Sequence, residues 1–392
     1  MAAGTVEVDL ATEPLTGGAL HALMHRARQE GPVVPATFLG APAVLLTGHR
    51  VVRDYLSDHE QFPGGALYAH ATRPHIGRTF IDMDGTEHDT YRRLVTPAFR
   101  SRAVTRFVED GLPPLVTEVL DRIAARGEAD LAVELAQVLP FWAISRKLGL
   151  PRGSEEQQRA WALALLSYPM DPSGALTASA QVTEFLAPTL ARRRSEPAQD
   201  VISHLLGAEH RGVRLTDDDV ASHVRLLYAV GAATTSDAMS TLLHRVLTEP
   251  GLINRARAEP ELIPPIVAES LRMEPAVATL PRIAPAGGSI AGVDLAPGTL
   301  VLCGLAAANR DPEVFADPDR FDPTRPDGDL LSFGLGQKYC PGAHLARRQL
   351  GTALTAVLHR LPDLALVEAT EPTSAVLRRV EHLQVTWSAQ DP

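Results

Sequence analysis

Apolar residues along this chain of 392 residues recur mostly at three-to-four spacing, the repeat that lays one apolar stripe along a helix. From Thr86 to about Gly251, stretches of this kind are interrupted at Pro113, Gly127, Pro151, Pro169 and Gly212, which predicts at least six helices. The last is the longest. Thr216 followed by Asp217, Asp218 and Asp219 reads as a capped, acidic helix start, and the pattern continues towards Glu249. At about 1.5 Å per residue this predicts a helix of roughly 45 to 50 Å. Ahead of the helices, residues 32–38 and 43–47, with Gly40 and Pro42 between them, read as a short hairpin.

Residues 280–305 follow a different pattern. Gly287, Gly288, Gly292, Pro297 and Gly298 separate short β-rich runs, and a further helix is predicted to open at Pro341. Residues 364–367 and 382–387 supply a last small sheet. With no fixed-period repeat, low-complexity tract or long polar linker, the expectation is a mainly α fold with small β-sheets, residues 1–392 forming one domain around a long central helix.

Composition narrows the function. Hydrophobic residues at 45% and charged residues at 21% suit a globular protein with a sizeable core. A net charge of -10 repels a polyanion, and no Lys/Arg block offers a phosphate-binding stripe, so nucleic acid is excluded as a partner. The N-terminal stretch through Glu7, Asp9 and Glu13 has neither a basic segment nor an apolar run, and no later stretch has the length of a membrane span, so the chain reads as neither secreted nor anchored. Cys303 and Cys340 alone make neither a disulfide framework nor a zinc site, which fits a reducing cytoplasm.

The most informative run is Phe333-Gly334-Leu335-Gly336-Gln337-Lys338-Tyr339-Cys340-Pro341-Gly342. Its glycines allow a tight loop to approach a flat ligand, and a helix starting at Pro341 puts the Cys340 sulfur at a positive helix N-terminus. Pro341 has no N–H, so hydrogen bonds to the sulfur must come from Gly342, Ala343 or the loop before it. A buried structural cysteine, or a nucleophile assisted by His344, are the alternatives these residues leave open.

The run from Phe333 to Arg347 resembles the haem-binding signature of the cytochrome P450 family, Phe-Gly-x-Gly, a basic residue, then x-Cys-x-Gly. The resemblance implies a soluble bacterial, cytoplasmic oxidoreductase of secondary metabolism, with Cys340 as the iron ligand of haem b (iron protoporphyrin IX) and Phe333, Gly334 and Gly342 in the cofactor cradle. It assigns His88 and Arg92, one helical turn apart, with Arg282 and Lys338 to the haem propionates. Glu269 and Arg272, at i, i+3, match the family's Glu-x-x-Arg, and Arg320 in Asp319-Arg320-Phe321 matches the arginine that joins this pair in a structural network. By themselves, Glu269 and Arg272 read as a solvated surface pair.

In the long helix, Val230-Gly231-Ala232-Ala233-Thr234-Thr235 resembles the family's oxygen-side pattern. The resemblance implies that Gly231 lets the helix approach the haem and that Thr234 stands beside dioxygen. The family's acid before the threonine is Ala233 here, which leaves water, Thr235 or Asp237 to deliver protons. Small-residue packing is the other reading of this run.

The implied activity is a monooxygenase that inserts one oxygen atom of O2 into a C–H bond of a medium-sized apolar molecule. Leu226, Ala229, Val230, Val277 and Thr279 would line its pocket, and residues 64–80, with Tyr68, His70, Arg73, His75 and Arg78, would select a polar or anionic group. Electrons would come from a ferredoxin and its NAD(P)H-dependent reductase, docked on Arg93, Arg100, Arg102, Arg347 and Arg348. Ala233 keeps a peroxide-using or otherwise atypical haem-thiolate enzyme in view, and a non-catalytic haem sensor is the third reading.

Overall fold

The computed structural model describes Val6 and residues 8–389 other than 152 and 327; the rest of the N-terminal stretch, Glu7 included, lies outside the described residues. Helices dominate, and the predicted hairpin forms from strands Val33–Phe38 and Ala41–Leu46. Leu39 and Gly40 turn it with φ of 51° and 73°, and Pro42 pairs with Thr37 inside the second strand rather than ending it. Two further strands, Thr299–Gly304 and Thr279–Ala284, complete a four-stranded sheet, the first parallel to Ala41–Leu46 and the second antiparallel to its neighbour. The C-terminal sheet pairs Ala365–Ala369 with Leu383–Thr386 and gains a third strand, Glu128–Asp130. That strand spans three residues, too few to show a period of two.

The long helix runs over Asp217–Thr248, 32 residues. At its start Thr216 Oγ1 accepts the Asp219 N–H at 3.1 Å, and Asp219 Oδ2 accepts the Thr216 N–H at 3.0 Å. Nearly every residue from Val220 to Leu243 is buried, so this helix crosses the interior and not the surface. It packs against helices Leu139–Leu148, Glu155–Leu166, Ile263–Met273 and Ala343–Arg360, and the last of these carries the chain away from the cysteine loop. Helices Gly18–Glu30 and His49–Ser57 precede the region where helical periodicity was expected. They span 13 and 9 residues, and the first buries only Leu20, Met24 and Ala27.

Candidate haem-binding site

The cysteine loop is held by its own backbone. Gly334 N–H donates to Leu331 O at 2.8 Å, Tyr339 N–H to Gly336 O at 3.1 Å and Cys340 N–H to Phe333 O at 3.0 Å. Gly334 and Gly336 both have φ of 69°. At Gly336 a Cβ would fall 2.5 Å from His59 Cε1 and 2.7 Å from Leu56 O, so both conformation and space demand glycine. Pro341 does not open the following helix. Gly342 is its N-cap and Ala343 its first residue, because the chain is still turning at Gly342, where φ is -87° and ψ 0°. This extra turn brings the N–H groups of Gly342 and Ala343 to the sulfur of the half-buried Cys340, as expected. Burial pushes the thiol up; the Gly342 N–H, the Arg92 charge and the Ala343 N–H oppose it.

Four groups gather at the edge of this loop. His88 is fully buried and its Nε2 has no hydrogen-bond partner; burial, then the Lys338 charge, push its pKa down to about 4. Arg92 donates Nη2 to Tyr339 O at 2.5 Å, and its Nη1 is buried without a partner. Lys338 Nζ donates to Phe80 O at 3.2 Å, Ile81 O at 3.0 Å and Met83 O, with burial bringing its pKa down to about 8. Arg282 donates to Tyr68 Oη and to Pro281 O, each at 2.9 Å. His88 and Arg92 thus keep nitrogens uncommitted, whereas Lys338 and Arg282 are bonded to the protein. Two orphaned nitrogens beside a partly accessible cysteine suit a flat ligand bearing acidic groups, since buried polar atoms are otherwise paired.

Glu269 and Arg272 form a buried bidentate pair, with Nε to Oε2 and Nη2 to Oε1 both at 2.8 Å. The solvated alternative is therefore excluded. The third member is Arg325, whose Nε lies 3.2 Å from Glu269 Oε1. Arg320 does not join. Its side chain is 68% exposed and pairs with Asp322, and only its carbonyl turns inward, accepting from Arg272 Nη2 at 3.3 Å. Two arginines on one loop look alike in sequence, and only the loop's path decides which of them enters.

On the long helix, Val230, Gly231 and Thr234 are half-buried within a stretch that is otherwise buried. Thr234 Oγ1 donates to Val230 O at 2.7 Å and Thr235 Oγ1 to Gly231 O at 2.9 Å, the back-bonding that bends helices. Gly231 also borders a neighbour that the sequence did not suggest. A Cβ there would stand 3.2 Å from Ile144 Cδ1 and Cγ1, so the glycine admits the neighbouring helix Leu139–Leu148. Leu226, Val230 and Thr234 share one face at four-residue spacing, while Ala229 lies off that stripe and is fully buried. Val277 is half-buried, and Thr279 is buried with Oγ1 unpartnered. Asp237 is buried, which pushes its pKa up to about 7 against the Arg379 charge.

The charges of residues 64–80 are mostly committed. Arg73 pairs with Asp82, Arg78 with Tyr91 and Glu87, and His75 Nε2 bonds Leu165 O at 2.7 Å. An anionic substrate group gains little support from them. Among the proposed docking arginines, Arg93, Arg100, Arg102 and Arg348 are exposed, and Arg347 lies over the Phe333 ring. No helix among the described residues is long and apolar enough to cross a membrane.

The sequence profile of the cytochrome P450 family matches residues 179–374, which include Cys340. The chain is similar to cytochrome P450 107B1 of Saccharopolyspora erythraea, 33% identical with 86% of this chain and 82% of that protein covered. It is also similar to the 6-deoxyerythronolide B hydroxylase of the same organism, 30% identical over 91% and 93% of the two chains. Among solved structures, cytochrome P450 CYP109Q5 from Chondromyces apiculatus superposes with a TM-score of 0.86 at 26% identity, covering 95% of this chain and 96% of that one. A family match spanning the cysteine loop, full-length relatives at this identity and the fold itself agree: the chain belongs to the cytochrome P450 family and is a haem-dependent monooxygenase.

Proposed function

We propose that residues 1–392 act as one cytoplasmic domain that holds haem b through Cys340 and hydroxylates, or otherwise oxygenates, a medium-sized apolar molecule of secondary metabolism. Bound haem supplies reductive activation of O2 and transfer of one oxygen atom to the substrate. The observation that carries this reading is the sulfur of the half-buried Cys340, faced by two backbone N–H groups and flanked by the uncommitted nitrogens of His88 and Arg92.

In this reading Phe333, Gly334 and Gly342 shape the cradle. Gly342 does so directly, since its absent Cβ would stand 3.8 Å from the sulfur. Arg92 takes a propionate with its free Nη1, His88 does so as the Nε2-protonated tautomer, which gives up the 3.4 Å contact from its Nδ1 to Asp89 Oδ1, and Lys338 and Arg282 do so by exchanging their present acceptors for carboxylate oxygens. Glu269, Arg272 and Arg325 fix the loop. Leu226, Val230 and Val277 give the substrate an apolar wall, and Thr279 offers a single hydroxyl. Thr234 and Thr235 hold water near the reacting oxygen, and Asp237, whose carboxyl titrates near neutrality, replaces the acid absent at Ala233.

Electrons arrive from a ferredoxin and its NAD(P)H-dependent reductase at the exposed arginines around Arg348. The relatives include a hydroxylase named for 6-deoxyerythronolide B and an epoxidase named for cyclomarin C, which favours a natural-product substrate. Ala233 favours a second reading, in which the same site runs on peroxide. The deciding experiment is the absorption spectrum of the reduced protein under carbon monoxide, beside Cys340→Ser. A strongly red-shifted Soret band that the substitution abolishes supports the assignment; an imidazole-like band in the parent protein overturns it. Product formed from peroxide without electron donors selects the second reading.

A further inference from the structure

His223 lies on the long helix eleven residues before Thr234, which at about 100° per residue puts both on one side of it. It is fully buried, and its partners assign both ring nitrogens. Nδ1 lies 2.6 Å from Asp219 O, an acceptor, so it carries the hydrogen. Nε2 is then bare and accepts the Phe80 N–H at 3.2 Å. The ring stacks against Phe80 and Tyr91 at 5.8 and 6.1 Å. Phe80 opens the short turn Phe80–Asp82, whose first two carbonyls accept from Lys338 Nζ, and its ring meets the edge of His88 at 6.4 Å. One turn is therefore tied through its N–H to the oxygen-side helix and through its carbonyls to the cysteine loop.

We propose that His223 is a positioning residue: its neutral, Nδ1-protonated ring clasps the 80–82 turn to the long helix and so sets where Lys338 and His88 stand, and protonation opens the clasp. The clasp itself is independent of any cofactor. Its consequence for catalysis rests on the haem site assigned above.

Protonation would put an Nε2–H against the Phe80 N–H, donor against donor, and bury a charge. The charged and titratable groups facing the ring are Asp219 on its own helix, Arg78 and Asp82 from the segment it clasps, and Tyr91 from helix Gly85–Val95. None is free to neutralise it. Asp219 caps Thr216; Asp82 accepts from Thr79 through Oδ1 and from Arg73 through Oδ2; Arg78 is held by Tyr91 and Glu87. Burial accordingly keeps the His223 pKa below its ordinary 6.5. A histidine depressed in the folded state contributes stability that is present above 6.5 and is lost as pH falls below it. Arg225 bonds Ile76 O through Nε at 3.0 Å and Nη2 at 2.8 Å, so the preceding segment stays anchored and the opening is local.

The test is hydrogen–deuterium exchange of the peptide spanning 79–84 in haem-loaded protein from pH 8 to pH 5.5, corrected for intrinsic rates. His223→Gln places an amide oxygen where Nε2 stands, an acceptor that does not titrate. His223→Leu offers no acceptor. In the parent protein, protection should fall on acidification, by up to about ten-fold at pH 5.5. In His223→Gln it should stay high throughout, and in His223→Leu it should be low already at pH 8. The haem absorption band should show the same acid inflection in the parent protein and lose it in His223→Gln. If His223→Gln keeps the parent's pH dependence, another histidine is the switch and the proposal fails. Parent-like protection in His223→Leu at pH 8 also overturns it, and should that variant not fold, the glutamine arm decides alone.

Discussion

Arg325 Nε lies 3.2 Å from Glu269 Oε1, the oxygen that also accepts Arg272 Nη2 at 2.8 Å and the Asp322 N–H at 2.9 Å. One buried carboxylate thereby ties the Ile263–Met273 helix to the loop leading into the cysteine segment. Arg325→Ala should cost about 2 to 3 kcal/mol, the range of a charge-assisted bond removed from a nearly buried site. Arg320→Ala, on a side chain facing water, should leave stability unchanged. Chemical denaturation of the two haem-loaded variants checks the pair, and equal losses would return Arg320 to the network.

Gly336 and Gly298 share a left-handed backbone, with φ of 69° and 81°, but not their surroundings. A Cβ at Gly298 meets nothing within 4 Å, so Gly298→Ala should cost about 1 kcal/mol of backbone strain. At Gly336 the same methyl collides with His59 and the Leu56 carbonyl, which must move with the loop. Gly336→Ala should cost at least about 2 kcal/mol and lower haem occupancy as well. Denaturation and the haem-to-protein absorbance ratio separate the two effects.

How much of this the sequence revealed depended on range. The long helix, its Thr216 cap and the hairpin rest on local periodicity and turn chemistry, and each forms where expected. The third strand of the C-terminal sheet depends on a partner more than two hundred residues away, and no local pattern marks Glu128–Asp130. The same holds at the site. Cys340 and its glycines announce themselves by spacing, whereas choosing Arg325 over Arg320, or Ile144 as the neighbour of Gly231, needs the path of the chain through space.

His88 offers a test by sign inversion. Its Nε2 is buried and unpartnered in the protein alone, a state that costs about 1 to 3 kcal/mol relative to an apolar side chain. His88→Leu should therefore stabilise the haem-free chain and destabilise the loaded one, which loses a propionate donor. Denaturation of the haem-free form and the rate of haem transfer to a scavenging globin measure the two halves. Loss of stability in both forms would mean that His88 serves the fold and not the cofactor.

Asp237 and Ala233 decide how protons reach the oxygen side. Burial raises the Asp237 carboxyl to about 7 from 3.8, so the folded state binds a proton that the unfolded chain has released between those values. Stability should then fall as pH rises through that window, by about 4 kcal/mol if the whole shift is realised, and level off above it. Asp237→Asn removes this slope, so the variant should be more stable than its parent at pH 8 and similar at pH 4. If Asp237 also relays protons, the substitution should lower product formed per NAD(P)H consumed while electron uptake continues. Ala233→Asp should raise that ratio, at a cost in stability because Ala233 is buried. Combining the two separates a shared route from parallel ones: restored coupling in the double variant means that one carboxylate at either position suffices. Unchanged coupling in Asp237→Asn would leave water held by Thr234 and Thr235 as the proton carrier, with Asp237 a buried group whose influence ends at stability.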